Sequence, residues 1–463
     1  MATCKESRNV SAPWNHPWPP NLTLVVCGRG LYTNFVGTIL YWLKKIIPST
    51  LTNAVRPPYH FAMAWFSSVW YRHPSRELTV IAVTGTKGKS TTVELIAAIL
   101  EGAGKKVSSL STIQFKIGNE AKPNLYKMTT PGRFFVQRFL HLSVEAGCTH
   151  AVIEITSEAA RQYRHKFIEL DALVFTNLSP EHIESHGSFE KYKAAKLEIG
   201  KQLECSVKRP RYTVANIDDE HGQDFLNLKV ENKLPYGLSS LKLHTLHKDG
   251  VGLIFKDGED EVTVRVPLVG LFNVYNALAA ITLCRALGVS LSVIEKALRD
   301  LPPLRGRVEH FYSPKGTQKQ ITAIVDYAHT PDSLEKLYLA FKEVPKVCIL
   351  GNTGGGRDTW KRPEMAKIAE RYCDHIILTN EDPYDEDPRS IVEEMAKGIG
   401  NKSKLEIIMD RRTAIKTALE KATNGSYVLI SGKGTDPYIM GPHNSRLPWS
   451  DAKVVEEELA RLK

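Results

Sequence analysis

After Glu77 the chain alternates short β-branched runs with helical stretches, and this rhythm limits its fold more than any other feature. "LTVIAVTG", "HAVIEITS", "ALVFTNLS", "TAIVDYAHT", "KVCILGN", "HIILTNED" and "SYVLISGKG" each end in small or polar residues. Such runs suit strands buried on both faces, with the intervening helices as cover, so parallel sheets are expected. In open α/β sheets ligands gather beyond the carboxyl ends of the strands, where these polar tails fall. The series breaks at "LPPLRGRVEH" (301–310) and restarts, and a chain of 463 residues predicts two or three domains. The expected organisation is α/β. A short atypical N-terminal segment (1–76) precedes a P-loop central domain with a mainly parallel sheet (77–303) and a C-terminal Rossmann-like α/β domain (304–463).

Residues 80–100, "VIAVTGTKGKSTTVELIAAIL", read as strand, glycine-lysine turn and helix. Glycines let the backbone wrap closely, so that successive N–H groups converge on an anion at a helix N-terminus. Lys89 is then placed to reach the β- and γ-phosphates and the Ser90 hydroxyl to ligate Mg²⁺. The strand before and the helix after are the context such a turn requires.

Composition bounds the rest. Apolar content of 42% with 24% charged residues is that of a soluble globular protein. Seven scattered cysteines without a C-x-x-C pair argue against a zinc knuckle or disulfide framework and for a reducing, cytosolic compartment. The net charge of +10 is concentrated at the front, where residues 1–75 hold seven Lys/Arg against one acid, Glu6. That stretch also carries five of the seven tryptophans: Trp14, Trp18, Trp42, Trp65 and Trp70. Its apolar runs, "FVGTILYWL" and "FAMAWF", are well short of the roughly 20 residues that span a bilayer. A membrane-surface or partner-docking element fits this composition, and so does a small domain or hairpin of helices packed on the body. No cleavable signal is evident.

"GTKGKST" (85–91) resembles the shortened P-loop of the Mur ligase family, ATP-dependent enzymes that join an amino acid to a carboxylate through an acyl-phosphate. The resemblance continues through "MTTPG" (128–132), "EITSE" (154–158), "FTNLSPEHIESHGSFEKYKAAK" (175–196), "LVGLFNVYNALAA" (268–280), "LRGRVE" (304–309), "DYAHTPDSL" (326–334), "GNTGGGRDTWKRPEM" (351–365) and "SGKGTD" (431–436). It is greatest with the MurE-type branch, which adds the third residue of the peptidoglycan stem to UDP-N-acetylmuramoyl-L-alanyl-D-glutamate.

The resemblance implies that ATP is held by Gly85, Thr86, Lys87, Gly88, Lys89, Ser90 and Thr91. It further implies Asn273 and Asn276 on the adenine side, Arg307 at the ribose or phosphates, and Asp326 and His329 closing from the C-terminal domain. Mg²⁺ would be held by Ser90 and Glu154, with a second ion near His182. Lys196, of "Y-x-x-A-K", would be carbamylated by CO₂, although from composition alone it reads as a solvated helix lysine. Glu154 at the end of a buried strand is a costly placement unless a metal or proton offsets it; the alternatives are a strand-end acid facing solvent and, for His182, an ordinary loop histidine. Thr129, Thr130, Thr156, Ser157, Gln162 and Arg164 resemble positions that hold the muramoyl dipeptide. Arg357, Asp358, Asp382, Tyr384, Gly432 and Asp436 fall on the amino-acid side.

Three departures stand out. The diaminopimelate-adding branch carries D-N-P-R where this chain has Glu381-Asp382-Pro383-Tyr384, and G-K-G-H-E where it has Gly432-Lys433-Gly434-Thr435-Asp436. The added amino acid is therefore left open between diaminopimelate, lysine and another. About eighty residues precede the P-loop instead of the UDP-binding domain of about a hundred, typical of a small domain. Expected partners are a UDP-linked muramoyl dipeptide and an amino acid, with no nucleic acid, a monomeric state and peripheral membrane contact through residues 1–75. Competing readings are a folylpolyglutamate-type or lipid-linked-peptide ligase, an amidating subunit, which the lack of a four-cysteine cluster disfavours, and a P-loop ATPase or nucleic-acid switch.

Overall fold

The computed structural model describes residues 49–126, 128–181, 183–257, 260–356 and 358–462. Trp14, Trp18, Trp42 and "FVGTILYWL" lie outside the described residues, as do His182 and Arg357.

The first sheet comprises β1 (Thr79–Thr84), β2 (Val107–Leu110), β3 (Gln114–Ile117), β4 (Glu120–Pro123), β5 (His150–Glu154), β6 (Ala172–Phe175), β7 (Tyr212–Asn216) and β8 (Asn232–Tyr236). Their order is β4-β3-β2-β5-β1-β6-β7-β8, parallel except where β3 and β4 turn back. β1 lies inside the sheet because both of its faces are apolar. Ile81 and Val83 enter a core formed with helices Lys89–Gly102 and Leu271–Ala286, whereas Val80 and Ala82 enter one formed with Arg133–Glu145 and Phe189–Glu204. Each large aliphatic side chain so buried contributes about 1.5–3 kcal/mol. The parallel register sets Glu154 beside Val83 and Phe175 beside Thr84, so the polar ends of β5 and β6 flank the turn that leaves β1.

An antiparallel unit of β9 (Leu243–His247), β10 (Gly250–Asp257) and β11 (Asp260–Val266) follows, outside the parallel series expected from the sequence. Lys248-Asp249 closes its first hairpin, and Gly250 opens the next strand. Val251, Leu253 and Phe255 join the core of the first sheet.

The second sheet contains β12 (Glu309–Tyr312), β13 (Thr322–Val325), β14 (Lys346–Leu350), β15 (His375–Leu378), β16 (Leu405–Ile407) and β17 (Tyr427–Ile430), ordered β12-β13-β17-β14-β15-β16. Only β12 is antiparallel to its neighbour. Ile324, Cys348 and Leu350 face one core, and Ala323, Val325 and Ile349 the other. A small pair, β18 (Tyr438–Met440) and β19 (Arg446–Pro448), follows.

The cysteine reading requires correction. Cys348 and Cys373 form a buried disulfide across 25 residues, with Cα atoms 6.1 Å apart. β14 and β15 are neighbours, which brings the two thiols together although their spacing matches no motif. Cysteine usage therefore does not argue for a reducing compartment.

Helix Ser49–Trp70 rests on the first sheet's outer helix Arg133–Glu145, where Phe66 and Phe134 rings lie 5.9 Å apart and Arg133 bonds His60. Its inward side thus follows the packed-helix alternative. No helix among the described residues is long and apolar enough to cross a membrane.

Candidate active site

The turn after β1 is held open from beneath. Gly85 has φ +146° and Gly88 φ +81°, both in the region that favours glycine. A Cβ on Gly85 would lie 1.9 Å from Thr176 Oγ1, and one on Gly88 2.1 Å from Asn276 Oδ1. The end of β6 braces the loop as well: Thr176 Oγ1 donates to the Lys87 carbonyl at 2.7 Å and Asn177 Oδ1 accepts from Lys87 N at 2.9 Å. Thr86 Oγ1 meets Tyr192 OH at 3.0 Å and accepts from Ser179 N at 3.0 Å. Helix Lys89–Gly102 starts at this point, with Ser90 and Thr91 buried in its first turn.

Three cations converge on the loop. Lys89 Nζ donates to the Thr86 carbonyl at 2.9 Å and lies 3.8 Å from Glu154 Oε1. Burial pulls its ammonium below the usual lysine range, opposed by Glu154 and Glu181. Lys87 pairs with Glu181 at 2.8 Å. Lys196, 1% exposed, donates to the Gly85 carbonyl at 2.5 Å and sits 4.7 Å from the centre of the Tyr192 ring. The composition-based reading of a solvated lysine is overturned, because helix Phe189–Glu204 turns Tyr192, Ala195, Lys196 and Ile199 inward together. Burial, then the charge of Lys89, hold the Lys196 amine well below the ordinary lysine range.

Glu154 is 2% exposed, so the solvent-facing alternative is also excluded. Its Oε2 accepts from Ser90 Oγ at 2.8 Å, from Thr112 N at 3.0 Å and from Thr112 Oγ1 at 3.1 Å. Thr112 Oγ1 lies 2.7 Å from Thr129 Oγ1, and Thr130 Oγ1 donates to the Glu154 carbonyl at 2.7 Å. Arg164 continues this chain by bonding the Thr130 carbonyl and, at 2.7 Å, Gln162 Oε1. Burial, then neighbouring Arg133, push the Arg164 guanidinium down to about 10. Thr156 caps the helix Ser157–Arg161 by accepting from Ala159 N at 3.1 Å, and Ser157 is buried behind it.

The second sheet reaches the same place. Arg307 Nη2 donates to Ser90 Oγ at 3.4 Å, and its guanidinium stacks 4.8 Å from the Tyr327 ring centre. Asp326 accepts from Val308 N and Ala328 N, each at 2.8 Å, and burial raises its proton affinity against the pull of Arg307. His329 Nε2 lies 3.4 Å from Glu181, the partner of Lys87. A cleft between the sheets is lined by Thr112, Met128, Thr129, Tyr327, Thr435 and Asp436. Lys433, fully buried, donates to Asp382 at 2.9 Å and Asp436 at 3.2 Å. Gly432 packs against Glu381 with φ +107°, and Tyr384 donates its N–H to the Met440 carbonyl at 3.2 Å. Asp358 accepts from Lys361 N at 3.1 Å through its carbonyl.

The family pattern of the Mur ligase middle domain matches residues 83–284, and that of the Mur ligase glutamate ligase domain residues 306–434. A UDP-N-acetylmuramoyl-L-alanyl-D-glutamate–2,6-diaminopimelate ligase of Syntrophomonas wolfei is 34% identical over 421 residues, 88% of this chain and 83% of its own. The chain belongs to the Mur ligase family. It is an ATP-dependent ligase that forms amide bonds. Another relative of this Mur ligase, a UDP-N-acetylmuramyl-tripeptide synthetase of Roseiflexus sp., is 35% identical over 428 residues, 88% of this chain and 83% of the relative. A solved UDP-N-acetylmuramoyl-L-alanyl-D-glutamate–2,6-diaminopimelate ligase superposes with a TM-score of 0.56 at 29% identity, covering 83% of this chain and 78% of its own. Folylpolyglutamate synthase of Mycobacterium tuberculosis, at 13% identity and a TM-score of 0.65 over 87% and 96% of the two chains, shares the fold alone.

Within this Mur ligase the expected P-loop, strand-end and acceptor residues meet around Glu154. Asn273 and Asn276 are buried, bonded to each other at 2.9 Å, and Asn276 packs under Gly88, so they support the loop from behind. Thr112, Glu181, Tyr192 and Tyr327 border the site without having been singled out in the sequence. Tyr192 and Tyr327 stand inside quoted motifs and Glu181 precedes His182, whereas Thr112 carries no motif signal. No group of three or more His, Cys, Asp or Glu suited to a metal occurs among the described residues. Magnesium needs less: one carboxylate and a hydroxyl beside phosphate oxygens suffice, because the ion keeps several waters. Glu154 and Ser90, oxygen donors 2.8 Å apart, fit that requirement.

Proposed function

We propose that this Mur ligase joins an amino acid to the D-glutamate carboxylate of UDP-N-acetylmuramoyl-L-alanyl-D-glutamate, converting ATP to ADP and phosphate, in peptidoglycan precursor synthesis. One observation carries the reading: Glu154 Oε2 accepts from Ser90 on the phosphate side and from Thr112, partner of Thr129, on the acceptor side. The nucleotide's terminal phosphate and the acceptor's carboxylate would meet there. The relatives' names supply the acceptor.

An acceptor carboxylate oxygen attacks the γ-phosphorus, the bond to the bridging oxygen breaks, and ADP leaves. The amino group then attacks the acyl-phosphate carbonyl carbon, loses a proton and expels phosphate. The loop N–H groups from Gly85 to Thr91 and the charges of Lys87, Lys89 and Arg307 hold the triphosphate, where preorganised donors need no reorganisation as charge shifts. Thr129, Thr130, Thr156, Ser157, Gln162 and Arg164 hold the acid. Ser90 and Glu154 would hold Mg²⁺, which would neutralise phosphate charge, and His182 and Lys196 would serve a second ion. Lys196 suits carbamylation because only a neutral amine attacks CO₂, and its surroundings disfavour the ammonium. Asp326 and His329 help bring the second sheet onto the nucleotide, which excludes water from the acyl-phosphate. Arg357, Asp358, Asp382, Tyr384, Gly432 and Asp436 receive the amino acid.

This reading places the enzyme in the cytoplasm as a monomer of segment 1–76 and domains 77–303 and 304–463, with no nucleic-acid partner and with peripheral membrane contact through residues 1–75. Phosphate release with ATP, Mg²⁺ and the muramoyl dipeptide, measured against an amino-acid panel containing diaminopimelate and lysine, tests it. Release should depend on both acid and amine, and the product mass names the residue added. Release independent of the dipeptide would refute the acceptor.

A further inference from the structure

Among the described side chains of helix Ser49–Trp70, the fully buried ones are small: Ala64, Ser67 and Ser68, with Ser67 Oγ donating to the Ala64 carbonyl at 2.9 Å and Ser68 Oγ to that of Phe167 at 3.2 Å. The helix's outward side carries Trp65, Val69 and Trp70, with Trp65 52% and Trp70 66% exposed, while Tyr59, Phe61 and Phe66 form the border of that surface, part exposed and part packed against Arg133, Phe167 and Phe134. Trp65 and Val69 stand four residues apart, as do Phe66 and Trp70, so their exposed parts form a continuous surface and not scattered exceptions. A water-facing helix surface normally carries the charges, and a contiguous apolar one marks an interaction site.

Charge decides the occupant. The helix contains no acidic residue, and exposed Arg56, two turns in, and Arg72, just beyond its end, flank the exposed aromatic stretch. The 48 residues that lead into it add Lys44, Lys45, three more tryptophans and the run "FVGTILYWL". A two-fold contact between copies would set like cations against each other, whereas an anionic bilayer supplies both an apolar layer and the countercharge. Tryptophan and tyrosine also favour the headgroup boundary. Resting on the peripheral membrane contact proposed above, we infer that the outward face of helix Ser49–Trp70 lies in the surface of an anionic bilayer, seated by Trp65 and Trp70 and held by the flanking arginines. The helix is bonded to Arg133, which donates to the Gln162 carbonyl at 3.0 Å, so the bilayer would lie close to the acceptor loop.

The full chain is sedimented with phosphatidylcholine vesicles containing phosphatidylglycerol and with phosphatidylcholine alone, and its mass is followed by light scattering. The expected result is sedimentation with the anionic vesicles only, weakened by salt. The Trp65→Ser/Trp70→Ser double variant should lose at least about tenfold in partitioning, with melting temperature and ATP-dependent phosphate release unchanged. Binding that survives the double substitution, or is equal on neutral vesicles, overturns the inference. So does a dimer abolished by the substitution, which would assign the face to a second copy. A monomer that sediments with neither vesicle would give the face to the chain's own first 48 residues and equally overturn it.

Discussion

Lys196 shows most clearly how one side chain acquires a property its sequence context hides. "YKAAKLEIG" reads as a solvated helix surface, yet the amine is buried against the Gly85 carbonyl and the Tyr192 ring. Burying an ammonium beside Lys89 favours the neutral amine, the form that attacks CO₂. Isotopically labelled bicarbonate should therefore yield a carbamate resonance in the wild-type protein that is absent from Lys196→Met. Because protonation competes with carbamylation, the resonance should fade as pH falls through the amine's folded-state value, which burial and Lys89 hold below that of an ordinary lysine. A resonance unaffected by Lys196→Met would refute the assignment. Glu154 is the contrasting case. A carboxylate ending the run "AVIEI" is legible as a site from sequence, because such an acid is costly unless a cation or a set of donors meets it. Thr112, which completes the donors around it, was not legible, since a threonine after β2 becomes informative only when the register sets β2 beside β5.

At the scale of elements, β1 and the turn that follows it do most to organise the site. The turn depends on an absence of side chain: Gly88 has φ +81°, and Asn276 Oδ1 stands 2.1 Å from where a Cβ would lie. Gly88→Ala should weaken ATP binding about tenfold or more in calorimetry, since both backbone and neighbour oppose it. Unchanged affinity would show that Asn276 yields freely. The parallel alternation of strands and helices was readable because strands buried on both faces are apolar throughout. The β9–β11 unit was not legible, because its first hairpin turns through Lys248-Asp249, a pair without the glycine that marks a tight two-residue turn. The Cys348–Cys373 disulfide was not legible for a different reason: thiols brought together by the pairing of β14 with β15 leave no trace in residue spacing.

Across the whole molecule, chemistry depends on the second sheet meeting the first. Arg307 reaches Ser90 at 3.4 Å, and His329 shares Glu181 with Lys87. Arg307→Ala should lower kcat by about 10²–10³ by removing a cation from the transferring phosphoryl group, with the melting temperature little changed. A loss of stability with kcat preserved would make Arg307 a structural strut. The account's central claim is that the acceptor's carboxylate is itself phosphorylated between Lys89, Glu154 and Arg307. It is tested most directly with muramoyl dipeptide whose acceptor carboxyl oxygens carry the heavy oxygen isotope, followed by mass analysis of the phosphate released during turnover. One heavy oxygen atom transferred to each phosphate is the predicted result; phosphate without the isotope, formed while the amide product accumulates, would contradict it.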